Sequence, residues 1–346
     1  MVALYVGFVL FVFLLLALDL GVFHRQAHVV TVREALKWSA VWISLGLSFC
    51  VFVYFGYEHH WLGLGTTPDA TSRAPAIVDG VTYYNDGGSA ALKYLTGFVV
   101  EKSLAVDNIF VIAMLFASLR VPAMYQHRVL FWGIIGALLM RGTMIGVGAA
   151  LIAKFTWIIY VFGGFLILTG IKMLLTKEDD EDITQSRVFR LVRRIIPVSQ
   201  EFHGKSFFIR DAAKRGALVA TPLFLALVLV ELADVIFAVD SIPAIFAITT
   251  DAFLVFTSNV FAILGLRSLY FAFAGLIDKF KYLKVSLSAV LVVIGGKMLA
   301  HSYLERWLGD AFSLYVLAVV ASILAAGVIA SLVSARRETR PPVSPP

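Results

Sequence analysis

The chain has 346 residues, of which 60% are hydrophobic and only 15% are charged. A single soluble core cannot bury that much apolar surface, so the composition predicts an all-α, polytopic membrane protein. The formal net charge of +6 is compatible with nucleic-acid binding. However, the basic residues follow membrane topology rather than one face, and the chain has no RNA-binding signature.

Nine hydrophobic segments are long enough to span a bilayer. They are centred on residues 2–23, 37–57, 90–118, 128–152, 155–175, 217–247, 252–275, 283–300 and 311–333. The third and sixth segments are longer than a span requires, which predicts tilted or broken helices. The first lacks the basic start and the small-residue cleavage site of a signal peptide, so we interpret it as a retained helix. The chain has one cysteine, Cys50, which excludes a disulfide framework and a thiolate metal site.

The distribution of charge predicts how the chain is oriented. With the N-terminus outside and the C-terminus in the cytoplasm, most of the 29 Lys and Arg residues lie on the cytoplasmic side. That asymmetry agrees with the positive-inside rule. In this arrangement residues 1–57 form an N-terminal two-helix segment, and residues 301–334 form a C-terminal helix.

Three polar regions connect or follow the helices. Residues 58–89 are rich in Gly, Thr, Pro and Asp, and we expect an exposed extracytoplasmic loop. Residues 176–216 form a cytoplasmic loop, whose acidic run at 178–182 is interpreted as a solvated linker, with a regulatory metal sensor as the alternative. Its basic part is expected to lie against anionic lipid headgroups. Residues 335–346 form a basic, proline-rich tail that we expect to be disordered.

Residues 90–175 and 217–300 repeat each other's charge pattern. The sequence EKSLAVDNI at 101–109 matches DVIFAVDSI at 234–242, since each carries two acids six residues apart. A lone arginine follows in each copy, and then GIKML at 170–174 or GGKML at 295–299. Because each copy contains three helices, an odd number, the two copies must have opposite orientations across the bilayer. Inverted repeats are a common transporter plan, with the binding site near the midplane where the copies meet.

Acidic residues inside the predicted spans are the strongest indication of function. The six are Asp19, Glu101, Asp107, Glu231, Asp234 and Asp240. Charges at bilayer depth are costly and mark ion or proton pathways. Carboxylates favour a hard divalent cation such as Mg²⁺, Ca²⁺ or Mn²⁺, whereas Zn²⁺ and copper prefer imidazole and sulfur, of which the spans offer no cluster.

Helix geometry restricts how these acids can share an ion. Residues six apart on a continuous α-helix point about 240° apart and lie roughly 9 Å apart along the axis. Either the helix unwinds between its two acids, for which Pro243 offers a break in the second copy, or each copy contributes one acid. Our structural hypothesis places Asp107 and Asp240 at the centre of one shared site. Glu101 and Asp234 then line the approach or complete the shell.

Neutral and basic residues accompany the acids. Asn108, Ser241 and Asn259 are expected either to add oxygen ligands or to form ordinary interhelical hydrogen bonds. The basic residues are expected to neutralise the empty cavity, to latch the acids in one facing state, or to form static ion pairs that hold the bundle. This basic set comprises Arg141, Arg267, Lys172 and Lys297. Lys102 is expected near the surface, or with its charged end snorkelling toward the surface.

The buried carboxylates also predict the driving force. A carboxylate must lose its proton before it binds a cation, and burial favours the protonated form, so protons and cations are expected to compete. This competition predicts proton-coupled exchange. The chain has no glycine-rich phosphate loop and its cytoplasmic loop is too short for an ATPase domain, so ATP-driven pumping is not expected. Neither an enzyme activity nor a permanent cofactor is expected.

Three motifs resemble those of the TerC/Alx family of integral membrane proteins. They are LDLGVFHR at 18–25, EKSLAVDN at 101–108 and ELADVIFAVDSIPA at 231–244. The resemblance implies a multi-pass protein of the bacterial cytoplasmic (inner) membrane that exports Mn²⁺, with a link to tellurium resistance and with the six acids binding and passing the metal.

The resemblance leaves the substrate and the role open to alternatives. Ca²⁺ and Fe²⁺ are alternative substrates to Mn²⁺. The alternative function is a membrane-protein assembly or metal-stress resistance factor with structural carboxylates. The expected partners are the divalent ion, protons and the lipid bilayer, without nucleic acid; no protein partner is predicted.

Overall fold

The computed structural model of the protein is predominantly helical. It describes residues 1–19, 30–72, 75–155, 157–175, 194, 196–199, 201–211, 217–273, 282–300 and 312–338. The first helices are α1 (Val2–Leu18), α2 (Val32–Glu58), α3 (Gly87–Ser118), α4 (Ala123–Lys154) and α5 (Ile158–Leu175). They are followed by α6 (Pro222–Phe246), α7 (Ala252–Leu264), α8 (Leu266–Phe273), α9 (Leu283–Leu299) and α10 (Phe312–Glu338).

Two short antiparallel hairpins lie in the connections between helices. The first pairs β1 (Ala76–Val78) with β2 (Val81–Tyr83), between α2 and α3. The second pairs β3 (Phe208–Asp211) with β4 (Ala217–Ala220), immediately before α6.

Several of these helices are suited to a membrane. Within the described chain, five stretches are long and apolar enough to cross a bilayer: Val32–Glu58, Ala123–Lys154, Ile158–Leu175, Pro222–Phe246 and Ala252–Phe273. Large apolar side chains such as Leu139 and Leu168 are 64% and 69% exposed on the outside of the bundle. Such apolar exteriors are unusual for soluble monomers and fit contact with lipid.

Helix α3 lies at the centre of the bundle, where it packs against α2, α6 and α7. Helix α4 packs against α6 and α7, whereas α5 has its most extensive contact with α9. Nearly every residue of α7 is buried. The two segments predicted to be repeats therefore interlock, and the acid-bearing helices α3 and α6 lie in the interior.

Capping residues fix where the central helices begin. Asp86 caps α3 and forms a reciprocal capping box with Ser89. Thr221 caps α6, with Pro222 in its first turn, and Asp251 caps α7 by accepting from the N–H of Phe253. These side chains satisfy N–H groups that have no partner within the helix.

Helices α5 and α9 cross at two points where their backbones touch. A Cβ atom at Gly295 would lie 2.6 Å from the carbonyl oxygen of Gly163, and one at Gly170 would lie 2.8 Å from the carbonyl oxygen of Ser288. The Ser288 hydroxyl also donates to the Gly170 carbonyl. Small residues thus permit the close approach that is typical of membrane helix pairs.

The helix break lies in a different helix from the one predicted. Helices α3 and α6 are continuous, and Pro243 lies inside α6 near its end at Phe246. The described chain is instead interrupted at Gly265, between α7 and α8. A Cβ atom there would lie 2.7 Å from Lys102 Nζ, which donates to the Ala262 carbonyl at 2.8 Å. Lys102 therefore turns into the bundle, and its predicted near-surface position is wrong.

Part of the loop expected to be exposed is buried. The β1–β2 hairpin is largely exposed, but Asp69 and Asn85 are only 4% and 2% exposed. Asp69 accepts hydrogen bonds from Thr249 and Thr250 in the connection between α6 and α7, and Asn85 donates to Asp69. The prediction of an exposed loop is therefore correct for the hairpin and wrong for these polar residues.

Some predictions fall outside the described residues. These are the motif residues 20–25, the acidic run at 178–182 and the tail beyond residue 338. Helix α10 continues to Glu338, so the first residues of the predicted tail are helical.

Candidate functional site

Arg141 lies near the middle of α4 and is only 2% exposed. A buried guanidinium is costly unless charged or polar partners surround it. Unlike lysine, arginine cannot relieve this cost by losing its proton. Its surroundings therefore define where the interior of the bundle can hold charge.

Two carboxylates from different helices hold this guanidinium. Asp234 of α6 accepts from Nη2 at 3.0 Å and from Nε at 3.3 Å, a two-point contact. Glu101 of α3 accepts from Nη1. Paired contacts of this kind are stronger and more directional than single hydrogen bonds. The two acids occupy equivalent positions in the two similar sequence motifs, so the structure brings together one acid from each of the predicted copies.

Neutral polar groups complete the arginine cluster, which comprises Glu101, Asn108, Arg141, Asp234, Ser241 and Asn259. Asn259 Oδ1 accepts from Arg141 Nη1 at 2.9 Å, and Ser241 Oγ lies 3.3 Å from the same nitrogen. Asn108 Nδ2 donates to Asp234 Oδ1 at 3.3 Å. Among the described side chains, the second oxygen of Glu101, Oε2, is buried without a hydrogen-bond partner.

Helical spacing explains which residues meet. Residues seven apart on an α-helix lie on nearly the same face, two turns along the axis. Glu101 and Asn108 have this spacing on α3, and so do Asp234 and Ser241 on α6. The repeated motifs are most conspicuous for their acids six apart, and from the sequence Asn108 and Ser241 are predicted only as supporting residues. The spacing of seven was the signal that identifies the cluster.

The predicted central pair is not tested by this geometry. Asp107 and Asp240 lie on the continuous helices α3 and α6, but their side chains lie outside the described part of the structure. Their central role stays a prediction. The described carboxylates that meet at Arg141 are Glu101 and Asp234, which the sequence predicts to line the approach or complete the shell.

Two spaces adjoin the arginine cluster. A cavity of about 330 Å³ is bordered by Glu101, Arg141 and Ser241 and reaches Lys172. A much smaller space of about 20 Å³ lies beside Asp234 and is also bordered by Arg267. Asn108 borders both spaces. The cluster therefore borders both a cavity of several water volumes and a much smaller space.

The other predicted site residues lie around this centre. Arg267 forms a buried ion pair with Asp19 at the end of α1. Glu231 is half-buried beside Gly136, where a Cβ atom would overlap its carboxyl group. Lys297 is buried near the end of α9. The described hydrogen bonds of Arg141 involve none of these groups.

Metal-binding groups of three or more His, Cys, Asp or Glu residues do not occur among the described side chains. The chemistry of the arginine cluster nevertheless suits a hard cation, since its acceptors are carboxylate, amide and hydroxyl oxygens. In this structure those oxygens face the guanidinium instead.

A second buried polar cluster, which we call the outer cluster, lies near the start of α3 and comprises Asp69, Thr71, Lys93, Thr249 and Thr250. Asp69 Oδ2 accepts from Lys93 Nζ at 3.0 Å and from Thr249 Oγ1 at 2.6 Å. Its Oδ1 accepts from the Thr250 N–H at 3.0 Å and from Thr71 Oγ1 at 2.8 Å. This cluster is not predicted from the sequence, because a single aspartate in a turn-rich loop gives no sign of burial.

In and beside the outer cluster, the pKa values of two carboxyl groups are shifted in opposite directions: that of Asp69 is lowered and that of Asp251 is raised. Burial alone would raise the pKa of Asp69, but Lys93 and the hydrogen bonds from Thr249, Thr250 and Asn85 hold that pKa below its ordinary value. Nearby, burial and then the charge of Asp69 raise the pKa of Asp251 to about 6. Tyr57 donates to the Asp251 carboxylate at 2.9 Å.

Comparison with known proteins identifies the family. Residues 86–339 match the model of the family described as "Integral membrane protein TerC family". A Myxococcus xanthus protein named as uncharacterized membrane protein STKORF319 is 48% identical over 333 residues, which cover 96% of this chain and 93% of that protein. Alx of Escherichia coli strain K12, named as a candidate membrane-bound redox modulator, is 44% identical over 319 residues, covering 91% and 92%.

A further relative, an uncharacterized membrane protein of Rickettsia bellii, is 37% identical over 323 residues, covering 93% of this chain and 94% of that protein. No solved structure matches. The family expected from the three motifs is confirmed, and the apolar helices agree with a multi-pass protein. The chain belongs to the TerC family of integral membrane proteins.

Proposed function

We propose that this protein is a secondary transporter that exports divalent metal cations, Mn²⁺ foremost, in exchange for protons. The observation that carries the proposal is the meeting of Glu101 and Asp234 in the bundle interior, one from each copy of the motif. A cavity of about 330 Å³ lies beside them. Paired acids next to internal space are what a path for a hydrated cation needs.

The proposal includes an inverted repeat, and helix packing supports it. In the repeat, α3 corresponds to α6, and α4 corresponds to the α7–α8 pair. A two-fold axis would therefore turn the contact between α3 and α7 into a contact between α6 and α4. Both contacts occur. The alignment that matches Gly170 with Gly295 also matches Gly163 with Ser288. It therefore exchanges the two backbone contacts of the α5–α9 crossing. Paired contacts of this kind are expected from a two-fold relation.

The proposed topology is nine membrane-spanning segments with the N-terminus outside and the C-terminus in the cytoplasm, in the bacterial cytoplasmic membrane. The α7–α8 pair counts as one segment, interrupted at Gly265. Each hydrophobic segment of the sequence contains a described helix, and the basic residues follow the positive-inside rule.

Chemistry supports the choice of substrate and driving ion. The oxygens of the arginine cluster favour Mn²⁺, Mg²⁺, Ca²⁺ or Fe²⁺ over copper and Zn²⁺. A buried carboxylate released by a metal ion takes up a proton readily, because burial disfavours its charged form. Metal leaving on one side and protons entering from the other then complete one cycle.

The second candidate function is a membrane assembly or metal-stress resistance factor whose carboxylates are structural. The ion pairs of Arg141 with its two acids and of Arg267 with Asp19 favour it, since static pairs also hold a bundle together. A redox role, suggested by the name of the E. coli relative, has little support in the thiol chemistry. With one cysteine, the chain cannot form an intrachain disulfide.

The test is Mn²⁺ flux into proteoliposomes that contain the purified full-length chain and a metal-sensitive dye. The site variants are Glu101→Gln, Asp234→Asn and the double variant Asp107→Asn/Asp240→Asn. The matched control is Asp79→Asn, because Asp79 is an exposed acid in the turn of the β1–β2 hairpin and asparagine tolerates its positive φ.

Wild-type and control protein should move Mn²⁺ into the liposomes. Because protons leave in exchange, the lumen should become more alkaline. The site variants should lose most of the Mn²⁺ flux. Equal flux from all variants would exclude the carboxylate site. No flux from folded wild-type protein would exclude transport of this ion and favour the structural alternative.

A further inference from the structure

The guanidinium of Arg141 occupies the oxygen atoms that a hard cation requires. It donates hydrogen bonds to both carboxylate oxygens of Asp234, to one oxygen of Glu101 and to the amide oxygen of Asn259. These are the oxygen types that form sites for Mn²⁺, Mg²⁺ and Ca²⁺. A metal ion and the guanidinium cannot use the same oxygens at the same time.

We propose that Arg141 is a tethered counter-ion that competes with the transported cation for Glu101 and Asp234. The proposal rests on the transport function proposed above. When the site is empty, the guanidinium holds the two acids. When a divalent ion binds, the guanidinium gives up at least one of them, and it returns when the ion leaves.

The charge of arginine suits this role. Two buried carboxylates without a cation are costly, so an empty site needs either protons or an internal cation. A guanidinium keeps its charge at physiological pH. It also carries a single charge against two carboxylates, and the buried Oε2 of Glu101 has no hydrogen-bond partner among the described residues. A divalent ion therefore matches the two acids better than Arg141 does.

The structure also provides room for the exchange. The cavity of about 330 Å³ is bordered by both Glu101 and the Arg141 side chain. A hydrated ion can approach the acids from this cavity, and the displaced guanidinium can shift within it. A change in side-chain position is then sufficient to release an acid, without separation of the packed helices.

Arg267 supplies a matched comparison. It occupies the corresponding position in the second copy and is also buried, but it forms a salt bridge with Asp19 at the end of α1. Removal of Arg267 deletes a buried positive charge of the same kind without freeing the bidentate contacts on Asp234. The pair of arginines thus separates competition at the acids from a general loss of positive charge.

The experiment measures Mn²⁺ binding to the purified full-length protein in detergent, using the electron paramagnetic resonance signal of free Mn²⁺. Arg141→Met should bind Mn²⁺ about tenfold more tightly than wild type, because the internal competitor is gone. Arg141→Lys lacks the planar fork that grips both acids, and we expect it to bind about threefold more tightly. Arg267→Met should show no tightening.

Transport provides a second measurement, in which Mn²⁺/Mn²⁺ exchange is compared with net Mn²⁺ transport. Loss of an arginine with a purely structural role would be expected to lower both. In Arg141→Met liposomes, exchange of Mn²⁺ against Mn²⁺ should persist while net transport falls, because the empty site must take up a second proton in place of the guanidinium charge before it returns. The net flux should recover as the pH is lowered.

Each outcome has one reading. Weaker or unchanged Mn²⁺ binding by folded Arg141→Lys or Arg141→Met would overturn the competition, as would equal tightening in Arg267→Met. Absence of Mn²⁺ binding and flux in wild type would instead overturn the proposed transport function, so the two failures are distinguishable.

Discussion

The arginine cluster and the outer cluster around Asp69 both bury acids next to a cation, but they satisfy their acids differently. Both oxygens of Asp69 accept hydrogen bonds, from a lysine, hydroxyl groups and a backbone N–H. In the arginine cluster two carboxylates share one guanidinium, and Glu101 Oε2 has no hydrogen-bond partner among the described residues.

This difference teaches how to separate a structural polar cluster from a functional one. An acid whose oxygens all accept hydrogen bonds has no free acceptor for a new ligand. The buried Asp69 instead holds its loop against the α6–α7 connection. A cluster with surplus acceptors beside a cavity can exchange one cation for another. The contrast is sharpest when stability and transport are measured on the same variants.

The largest loss of stability is expected from Asp69→Ala. The substitution leaves Lys93, which is 4% exposed, without its carboxylate partner, and breaking a buried pair from one side costs about 3–5 kcal/mol. Thermal unfolding of the purified protein in detergent should show a large drop in the unfolding temperature. An unchanged unfolding temperature would show that the outer cluster is not structural.

The control for this prediction removes both charges. In Asp69→Asn/Lys93→Met the buried lysine charge is gone, so part of the lost stability should return relative to Asp69→Ala. A double variant less stable than either single variant would contradict an ion pair as the main contribution.

The second prediction concerns pH and the outer cluster. Because the pKa of Asp251 is raised to about 6 in the folded protein, the folded state binds its proton more tightly than the unfolded chain does. Asp251 therefore favours folding at low pH, and this contribution of about 2–3 kcal/mol is lost as pH rises from about 4 to above 6. Asp69 stays ionised throughout that window, since its pKa is lowered.

Asp251→Asn should remove this pH dependence. Asparagine can still cap α7 and accept from Tyr57, so the variant keeps the local hydrogen bonds. Unfolding temperatures of wild type and variant, measured between pH 4 and 7, should differ in slope, with the wild type losing more stability as pH rises. Parallel curves would contradict the raised pKa.

The sequence predicted the arginine cluster better than the outer cluster, for a physical reason. Charged residues inside apolar segments are recognisable because the membrane makes them costly. The sequence alone therefore indicates Glu101, Asp234 and Arg141 as functional candidates. Asp69 lies in a loop whose composition indicates turns. Its burial depends on the docking of Thr249 and Thr250 from a distant part of the chain, which no local pattern reports.

The predicted helix break shows a second limit. Pro243 removes an N–H but keeps a helical φ, so near the end of α6 the helix continues past it for one turn. Gly265 is a weaker signal, because glycine is common in membrane helices. It interrupts the chain where a Cβ atom would lie 2.7 Å from Lys102 Nζ and 3.1 Å from Trp42 Cβ, a close approach that only tertiary packing creates.

The third prediction compares stability and transport for Asp234→Asn. Arg141 keeps Glu101 and Asn259 as partners in this variant, so the free energy of unfolding should fall by only about 1–2 kcal/mol. Flux should fall much further, because one of the two acids can no longer carry charge. A loss of stability as large as that of Asp69→Ala would instead favour the structural alternative.

The smallest effects come from single hydroxyl groups, and they repeat the comparison without any change of charge. Thr71→Val removes a donor to Asp69 and to the Ile248 carbonyl, and should cost about 1 kcal/mol of stability with flux unchanged. Ser241→Ala removes a long contact of 3.3 Å to Arg141, so its unfolding temperature should barely change. The affinity of Ser241→Ala for Mn²⁺ should fall if Ser241 supplies an oxygen ligand. The bound ion then loses a ligand, whereas the guanidinium of Arg141 loses only a weak hydrogen bond. The opposite pattern, with Thr71→Val changing flux and Ser241→Ala changing only stability, would reverse the roles assigned to the two clusters.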